Sequence, residues 1–191
     1  MCTVLDVMGE ASAQAQSLKN PITSGAKMMA AEGHTVYMLV DRAGAGGHGA
    51  VVGMLKVGRK KLFLLDHAGK PNEMTPMCVL DFYVTETRQR TGCGRKLFET
   101  MLAREGVDPR YLAIDRPSDK LISFLRKHYG LASIIPQVIR RNYKIFRNFK
   151  YFLLQVNNYV IFSGFFKDQP ASPAGMQQKK ARIIMGKLQY V

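Results

Sequence analysis

Gln89-Arg90-Thr91-Gly92-Cys93-Gly94 is the run whose residue types and spacing are best suited to chemistry. Two glycines one residue apart let a ligand come close to the backbone, and the free N–H groups at the start of a following helix point at one place. Such a place suits an anion, most often a phosphate or pyrophosphate. The run lacks both the G-x-G-x-x-G spacing of dinucleotide sites and the G-K-[ST] ending of nucleoside triphosphate loops, so neither ligand is favoured. A plain tight turn accounts for two glycines about as well. Three other residues stand at suggestive places. Asp115 falls at the carboxyl end of a predicted strand, where open α/β sheets hold their ligands, although an acid before Arg116-Pro117 also reads as a turn residue. Cys78 lies inside an apolar run and reads first as a small buried hydrophobe. Gln16 lies near the end of a predicted helix, where glutamine ordinarily faces water.

The elements that must position these residues are legible in the hydrophobic periodicity. Met77 to Val84 is β-branched and aromatic and predicts a buried strand. Strict alternation puts Cys78, Leu80, Phe82 and Val84 on one face and Met77, Val79, Asp81 and Tyr83 on the other. The period then changes: Leu97, Phe98, Met101 and Leu102 recur at helical spacing, and Gly106 is placed to end that helix. Tyr111 to Asp115 predicts a short strand, parallel to the first because a helix connects them. Ser118 is an N-cap for a second helix, whose apolar face is Leu121, Ile122, Leu125 and Tyr129 and whose end is Gly130. Upstream, Leu5, Met8, Ser12, Ala15 and Leu18 predict a helix over residues 4 to 19, stopped by Asn20-Pro21. Gly9 weakens it by roughly 1 kcal/mol relative to alanine. Three apolar runs, Thr35 to Val40, Val51 to Val57 and Lys61 to Leu65, predict an antiparallel meander. Gly58-Arg59-Lys60 reads as its tight hairpin and His67 to Pro76 as a polar loop. Val156 to Phe166 predicts a last strand.

Composition narrows the class. A chain of 191 residues, 47% hydrophobic, can bury one core, and the expectation is a single α/β domain. It contains no apolar run of the roughly 18 residues a membrane helix needs, and Asp6 and Glu10 interrupt any signal-peptide core. Cys2, Cys78 and Cys93 are an odd number without C-x-x-C spacing. They predict a reducing compartment and argue against a disulfide framework or a metal site. The net charge of +14 fits nucleic acid, an anionic surface, a phosphate-rich ligand or an acidic protein partner, and equally a solvated basic surface. Nucleic acid is the weakest of these, because stacking aromatics are not interleaved with the cations outside residues 138 to 155.

A Q-x-x-G-x-G turn after a strand resembles the coenzyme A pyrophosphate loop of the GNAT acetyltransferases. The stretches VLDFYV, RQRTGCGRKLF, LAIDRPSDKL, FLRKHYGL and VNNYVIFSGFF, spread between Val4 and Phe166, resemble in order and nearly in residue the alpha-tubulin N-acetyltransferase family. That resemblance implies a GNAT-like domain over residues 1 to 166, with a central mixed β-sheet flanked by helices. It implies acetyl transfer from acetyl-CoA to a lysine side chain of alpha-tubulin in microtubules, by a cytoplasmic monomer that binds neither nucleic acid nor membrane. Onto the family's functional positions fall Gln16, within GEASAQAQSL, and Cys78 and Asp115. The cofactor segment maps to Gln89, Arg90, Thr91, Gly92, Cys93, Gly94 and Arg95, with Ser118, Lys120 and Lys127 in a second segment. A backbone N–H near Phe82, Tyr83 and Val84 would polarise the thioester carbonyl, and Arg116 would meet an acidic substrate loop. A catalytically impaired relative that still binds microtubules is the alternative.

Two departures from the family accompany the resemblance. Related chains carry a further segment, with an edge strand, ahead of the first helix. Pro136-Gln137 and Val156-Asn157-Asn158 are contiguous in the family but separated here by residues 138 to 155, 18 residues with five cations and no acid. This insert reads either as a translated in-frame intron or as a basic amphipathic element that binds microtubules or nucleic acid; sequencing the mature message across the junction separates the two. Residues 167 to 191 read as a basic, flexible tail ending in a short helix.

Overall fold

The computed structural model describes residues 2–137, 159–167 and 182–187. The insert therefore lies outside the described residues. Helices α1 (Cys2–Ala15) and α2 (Gly25–Ala30) precede strands β1 (His34–Asp41), β2 (Ala50–Arg59), β3 (Leu62–Leu65), β4 (Pro71–Met74) and β5 (Met77–Val84). Then come α3 (Cys93–Glu105), β6 (Leu112–Asp115), α4 (Asp119–Tyr129), β7 (Ile134–Ile135), β8 (Tyr159–Phe162) and β9 (Arg182–Lys187). Among the described residues, seven strands form one mixed sheet in the order β7-β8-β6-β5-β2-β1-β9. The pairs β5–β6 and β1–β9 are parallel and the other pairs antiparallel. The structure thus has the mixed sheet flanked by helices that the sequence predicted.

The helices sort by what they bury. On one face α3 and α4 supply Leu97, Phe98, Met101 and Leu125 to a core shared with Tyr37, Leu39, Leu55, Val57, Val79 and Ile114. On the other, α1 packs Leu5 and Met8 against Val36, Met38, Met54 and Tyr83. A third cluster joins Leu62 and Leu64 of β3 to Cys78, Leu80, Ala113 and Ile161. Both α3 and α4 end at glycines in the left-handed region, Gly106 and Gly130, and the Ser118 side chain accepts from Leu121 N, as the sequence predicted.

Four expectations are corrected. First, β2 and β3 form no hairpin. Both edges of β2 are already paired, with β1 and with β5, so β3 turns away and pairs with β4 in a separate two-stranded sheet. The expected polar loop therefore contains a strand. Second, α1 ends at Ala15 rather than at residue 19: Ser17 takes φ 54°, and Leu18 N donates to Ala13 O at 2.9 Å. That left-handed closure ends the helix before Asn20-Pro21 is reached.

Third, β5 does not alternate strictly. Lys56 pairs with Asp81 and Val57 with Val79, so Leu80 is an extra residue in a β-bulge. Beyond it the faces exchange: Met77, Val79, Phe82 and Val84 meet the α3 side, whereas Cys78, Leu80, Asp81 and Tyr83 meet the other. Fourth, within the predicted tail residues 182–187 are not helical but form β9, which covers the outer edge of β1.

Gly9 has a packing reason that outweighs its low helix propensity. A Cβ there would lie 1.8 Å from the Thr23 carbonyl oxygen, so glycine is what lets the chain after α1 cross that helix closely. Gly9→Ala gains helix propensity, yet we expect a net destabilisation of about 1–3 kcal/mol because backbone must move. Urea unfolding measures it, and a stabilised variant would contradict the packing reading.

Candidate functional site

The Gln89–Gly94 turn leaves β5 through a short 3-10 turn, Glu86–Arg88, and is fixed before any ligand arrives. Thr85 N donates to Val52 O at 3.0 Å. Gln89 Nε2 donates to Val84 O at 2.9 Å, and Thr91 Oγ1 to Arg88 O at 2.7 Å. Arg88 is ion-paired with Asp41, whose side chain is fully buried at the end of β1. Arg90 and Gly92 both have positive φ, 65° and 86°, which turn the chain sharply into α3. No side chain caps α3, so its leading N–H groups lack the usual partner. Gly92 is glycine for its φ. Gly94 is not: its φ is ordinary, and a Cβ there would meet the Phe82 ring at 3.5 Å, a normal contact.

Beside this helix start the edge of β5 is open. Parallel pairing with β6 covers only Met77, Cys78 and Val79, so from Leu80 onward β5 has no neighbour on that side among the described residues. The predicted carbonyl-polarising residues Phe82, Tyr83 and Val84 lie on this uncovered stretch. Their side chains divide: Phe82 and Val84 lie against the α3 core, whereas Tyr83 is buried on the α1 side with its hydroxyl donating to Glu86 Oε2 at 2.9 Å.

Cys78 pairs with Ala113 of β6, two residues before Asp115, which lies just past the last β5–β6 pair, Val79–Ile114. Cys78 is fully buried, its thiol facing Pro76 O at 3.6 Å. Burial pushes that thiol up to about 12 from an ordinary 9.0. Asp115, its side chain 17% exposed, is bridged at 3.3 Å by Arg116 Nε. It also accepts a hydrogen bond from the hydroxyl of Tyr159, its partner across β6–β8. Burial first, then the Asp115 charge, pushes the Tyr159 hydroxyl upward, so it stays a donor. Gln16 is not beside Cys78; it reaches Asp81, three residues further along β5 and on the same face, donating from Nε2 to Oδ1 at 3.3 Å. Of the other predicted residues, Arg95 is paired with Glu99 at 2.7 Å and Cys93 is buried in the core. Ser118 caps α4, while Lys120, Lys127 and Arg116 are exposed.

Sequence reasoning missed Tyr159, Asp81 and Asp41. A carboxylate inside the apolar run VLDFYV was itself a signal, since aspartate is rarely buried unless its oxygens are satisfied. Tyr159 carried only its place within an expected strand.

A strand, a glycine turn with an uncapped helix start, and a parallel partner that parts from the strand at that level are the arrangement of a GNAT-like fold. The family model described as GNAT acetyltransferase, Mec-17 matches residues 1–152, and this chain belongs to that family. It is 48% identical over 169 residues to "Alpha-tubulin N-acetyltransferase 1" of Danio rerio, covering 88% of this chain and 50% of that protein. It is 46% identical over 174 residues to "Alpha-tubulin N-acetyltransferase" of Trichoplax adhaerens, covering 87% and 66%. To "Alpha-tubulin N-acetyltransferase 1" of Drosophila melanogaster it is 44% identical over 177 residues, covering 92% and 34%. The aligned part is thus between a third and two thirds of each relative's length.

A thiol ordinarily at 9.0 and raised to about 12 favours the fold while it stays neutral. This contribution is complete below the unfolded value and is lost as pH rises through the folded one. We expect stability to fall as pH climbs above about 9 and Cys78→Ala to flatten part of that fall. We also expect native Cys78 to resist iodoacetamide at about pH 8, as buried neutral thiols do. Alkylation at the rate of a free thiol would contradict the assignment.

Proposed function

We propose that this chain transfers an acetyl group from acetyl-CoA to a lysine side chain of alpha-tubulin. The observation that carries the reading is the uncapped, glycine-bearing start of α3 lying against the uncovered edge of β5. Unpartnered N–H groups at a helix start suit a pyrophosphate, and neither φ nor protein packing requires glycine at position 94, whereas a ligand lying against the backbone would. Bound there, acetyl-CoA would supply the thioester carbonyl to be attacked.

The chain's own groups then have definite tasks. The backbone of Phe82, Tyr83 and Val84, beyond the last β6 contact, offers donors to the oxygen on which negative charge builds. Arg90, and Arg95 once released from Glu99, add charge to the anion site together with Lys120 and Lys127. A lysine amine ordinarily titrates at about 10.4 and must lose a proton before it can attack. Asp115, held by Tyr159 and Arg116, is the carboxylate placed to accept it. Cys78 is too buried and too weakly acidic to serve as a thiolate nucleophile, which favours direct attack by the amine. Exposed Arg116 and the overall excess of 28 basic over 14 acidic residues suit an acidic substrate surface such as a microtubule. The reading includes a cytoplasmic, microtubule-associated monomer that binds neither nucleic acid nor membrane. Among the described residues, no helix is long and apolar enough to cross a membrane, and no cluster is suited to a metal ion. The impaired relative is not favoured, because the glycine turn, Gln16 and Asp115 are all present and the relatives carry the names of active enzymes.

Two experiments test this. Purified chain with acetyl-CoA should acetylate polymerised alpha-tubulin, and Asp115→Asn should lower the rate by about 100-fold with acetyl-CoA binding retained; no acetylation by a folded, acetyl-CoA-bound chain would overturn the assignment. Gly94→Ala should separate stability from binding. It should raise stability by up to about 1 kcal/mol through helix propensity and weaken acetyl-CoA about ten-fold by blocking close approach. Unchanged affinity in calorimetry would remove Gly94 from the site.

A further inference from the structure

Asp81 is only 4% exposed, in the middle of β5, and the proposed chemistry leaves it without a task. Its carboxylate is satisfied from one side of the sheet. Ser12 Oγ donates to Oδ1 at 2.7 Å and Thr23 Oγ1 to Oδ2 at 2.7 Å. Gln16 Nε2 donates to Oδ1 at 3.3 Å and to Ser12 Oγ at 2.9 Å. Across the ladder stands Lys56, 5% exposed, with its ammonium near Ile22 O at 3.4 Å.

The orientation of the Gln16 amide follows from this arrangement. An ionised carboxylate only accepts hydrogen bonds, so the face of the amide turned toward Asp81 must be its NH2. The Ser12 hydroxyl spends its one proton on Asp81 and is left as an acceptor, so it too requires an NH2 from Gln16. The NH2 end of the amide is therefore the end that is held, one N–H being shared between Ser12 Oγ and Asp81 Oδ1. The carbonyl oxygen Oε1 is the remaining end, and it accepts no hydrogen bond among the described residues. Gln16 itself is only partly buried, between the end of α1 at Ala15 and left-handed Ser17, so without these bonds its amide would be free to rotate.

We infer that Asp81 is a positioning residue: through Ser12 and directly, it fixes the Gln16 amide so that Oε1 is presented as an acceptor toward the N–H donors of an incoming lysine side chain. This rests on the reading that Gln16 serves acetyl transfer. The β-bulge at Leu80 is what brings Asp81 to the α1 face. Thr23 bonds only the far oxygen and contributes to stability.

The test is a double-mutant cycle on folded protein, with kcat, KM for polymerised alpha-tubulin, acetyl-CoA affinity and thermal stability measured for each variant. Gln16→Ala should lower kcat, and Asp81→Asn should lower it by about 10- to 100-fold because the amide loses its fixed orientation, with acetyl-CoA affinity unchanged. The double variant should be no slower than Gln16→Ala alone, since both changes remove one function. Gln16→Glu beside Asp81 should be poor, and Asp81→Asn should restore part of its kcat by offering an NH2 to the new carboxylate. Thr23→Val should lower stability and leave kcat within about two-fold. Should Asp81→Asn not fold, Ser12→Ala is the second variant, with a loss of about three- to ten-fold in kcat as one of the two anchoring bonds goes. Full activity in Gln16→Ala would remove the reading of Gln16 and this inference with it. Loss in Gln16→Ala with full activity in Asp81→Asn, or additive losses that track thermal stability, would overturn the inference alone.

Discussion

The structure depends on one local irregularity, the extra residue at Leu80 in β5. In a regular strand Asp81 would face the α3 core, where a carboxylate has no donors, and Phe82 and Val84 would leave that core. The bulge exchanges them, so the aromatic core beneath α3 and α4 stays apolar while the single acid turns toward α1. Burying that acid is costly unless its oxygens are satisfied, and the donors that satisfy it come from Ser12, Gln16 and Thr23. The docking of α1 is thereby specified by hydrogen bonds as well as by Leu5 and Met8. Gly9 lets the segment carrying Thr23 come near enough to take part.

The same stretch of β5 loses its partner on the other edge. β6 pairs with it only as far as Val79, and the helix that follows Gly92 begins beside the uncovered part. Among the described residues, two kinds of unpaired backbone donor, from a strand edge and from a helix start, thus lie near each other, and each needs a polar partner when water is excluded. The loop between them is held by Asp41, which is buried with Arg88 as its ionic partner, so the shape is fixed by a contact made far back at the end of β1. The exposed Arg95–Glu99 pair is of another kind. Surface ion pairs contribute little, so this one holds Arg95 only weakly.

Much of this was legible in the sequence. The central strand, the helix ends at Gly106 and Gly130, the Ser118 cap and the parallel β5–α3–β6 crossover follow from periodicity and from backbone conformations that few residues adopt. The misreadings share a cause. Which strand pairs with which is a matter of edges already taken, so neighbouring apolar runs suggested a β2–β3 hairpin that β1 and β5 exclude. Alternation cannot reveal a bulge, so the faces of β5 were assigned correctly only as far as Leu80. Ser17 closes α1 in a conformation that serine enters rarely, and β9 is set by a free sheet edge rather than by its own composition. Cys78 and Asp115 could both be singled out from the sequence, whereas Tyr159, which holds Asp115, follows only from the register of β6 against β8.

The most direct measurement is amide hydrogen exchange on the purified chain, with and without acetyl-CoA. If the open edge of β5 and the start of α3 form the binding site, protection should rise on binding across residues 82–84 and 90–95 and remain unchanged in β1 and β2. Saturating acetyl-CoA with no added protection in either segment, or with protection confined elsewhere in the fold, would contradict the account.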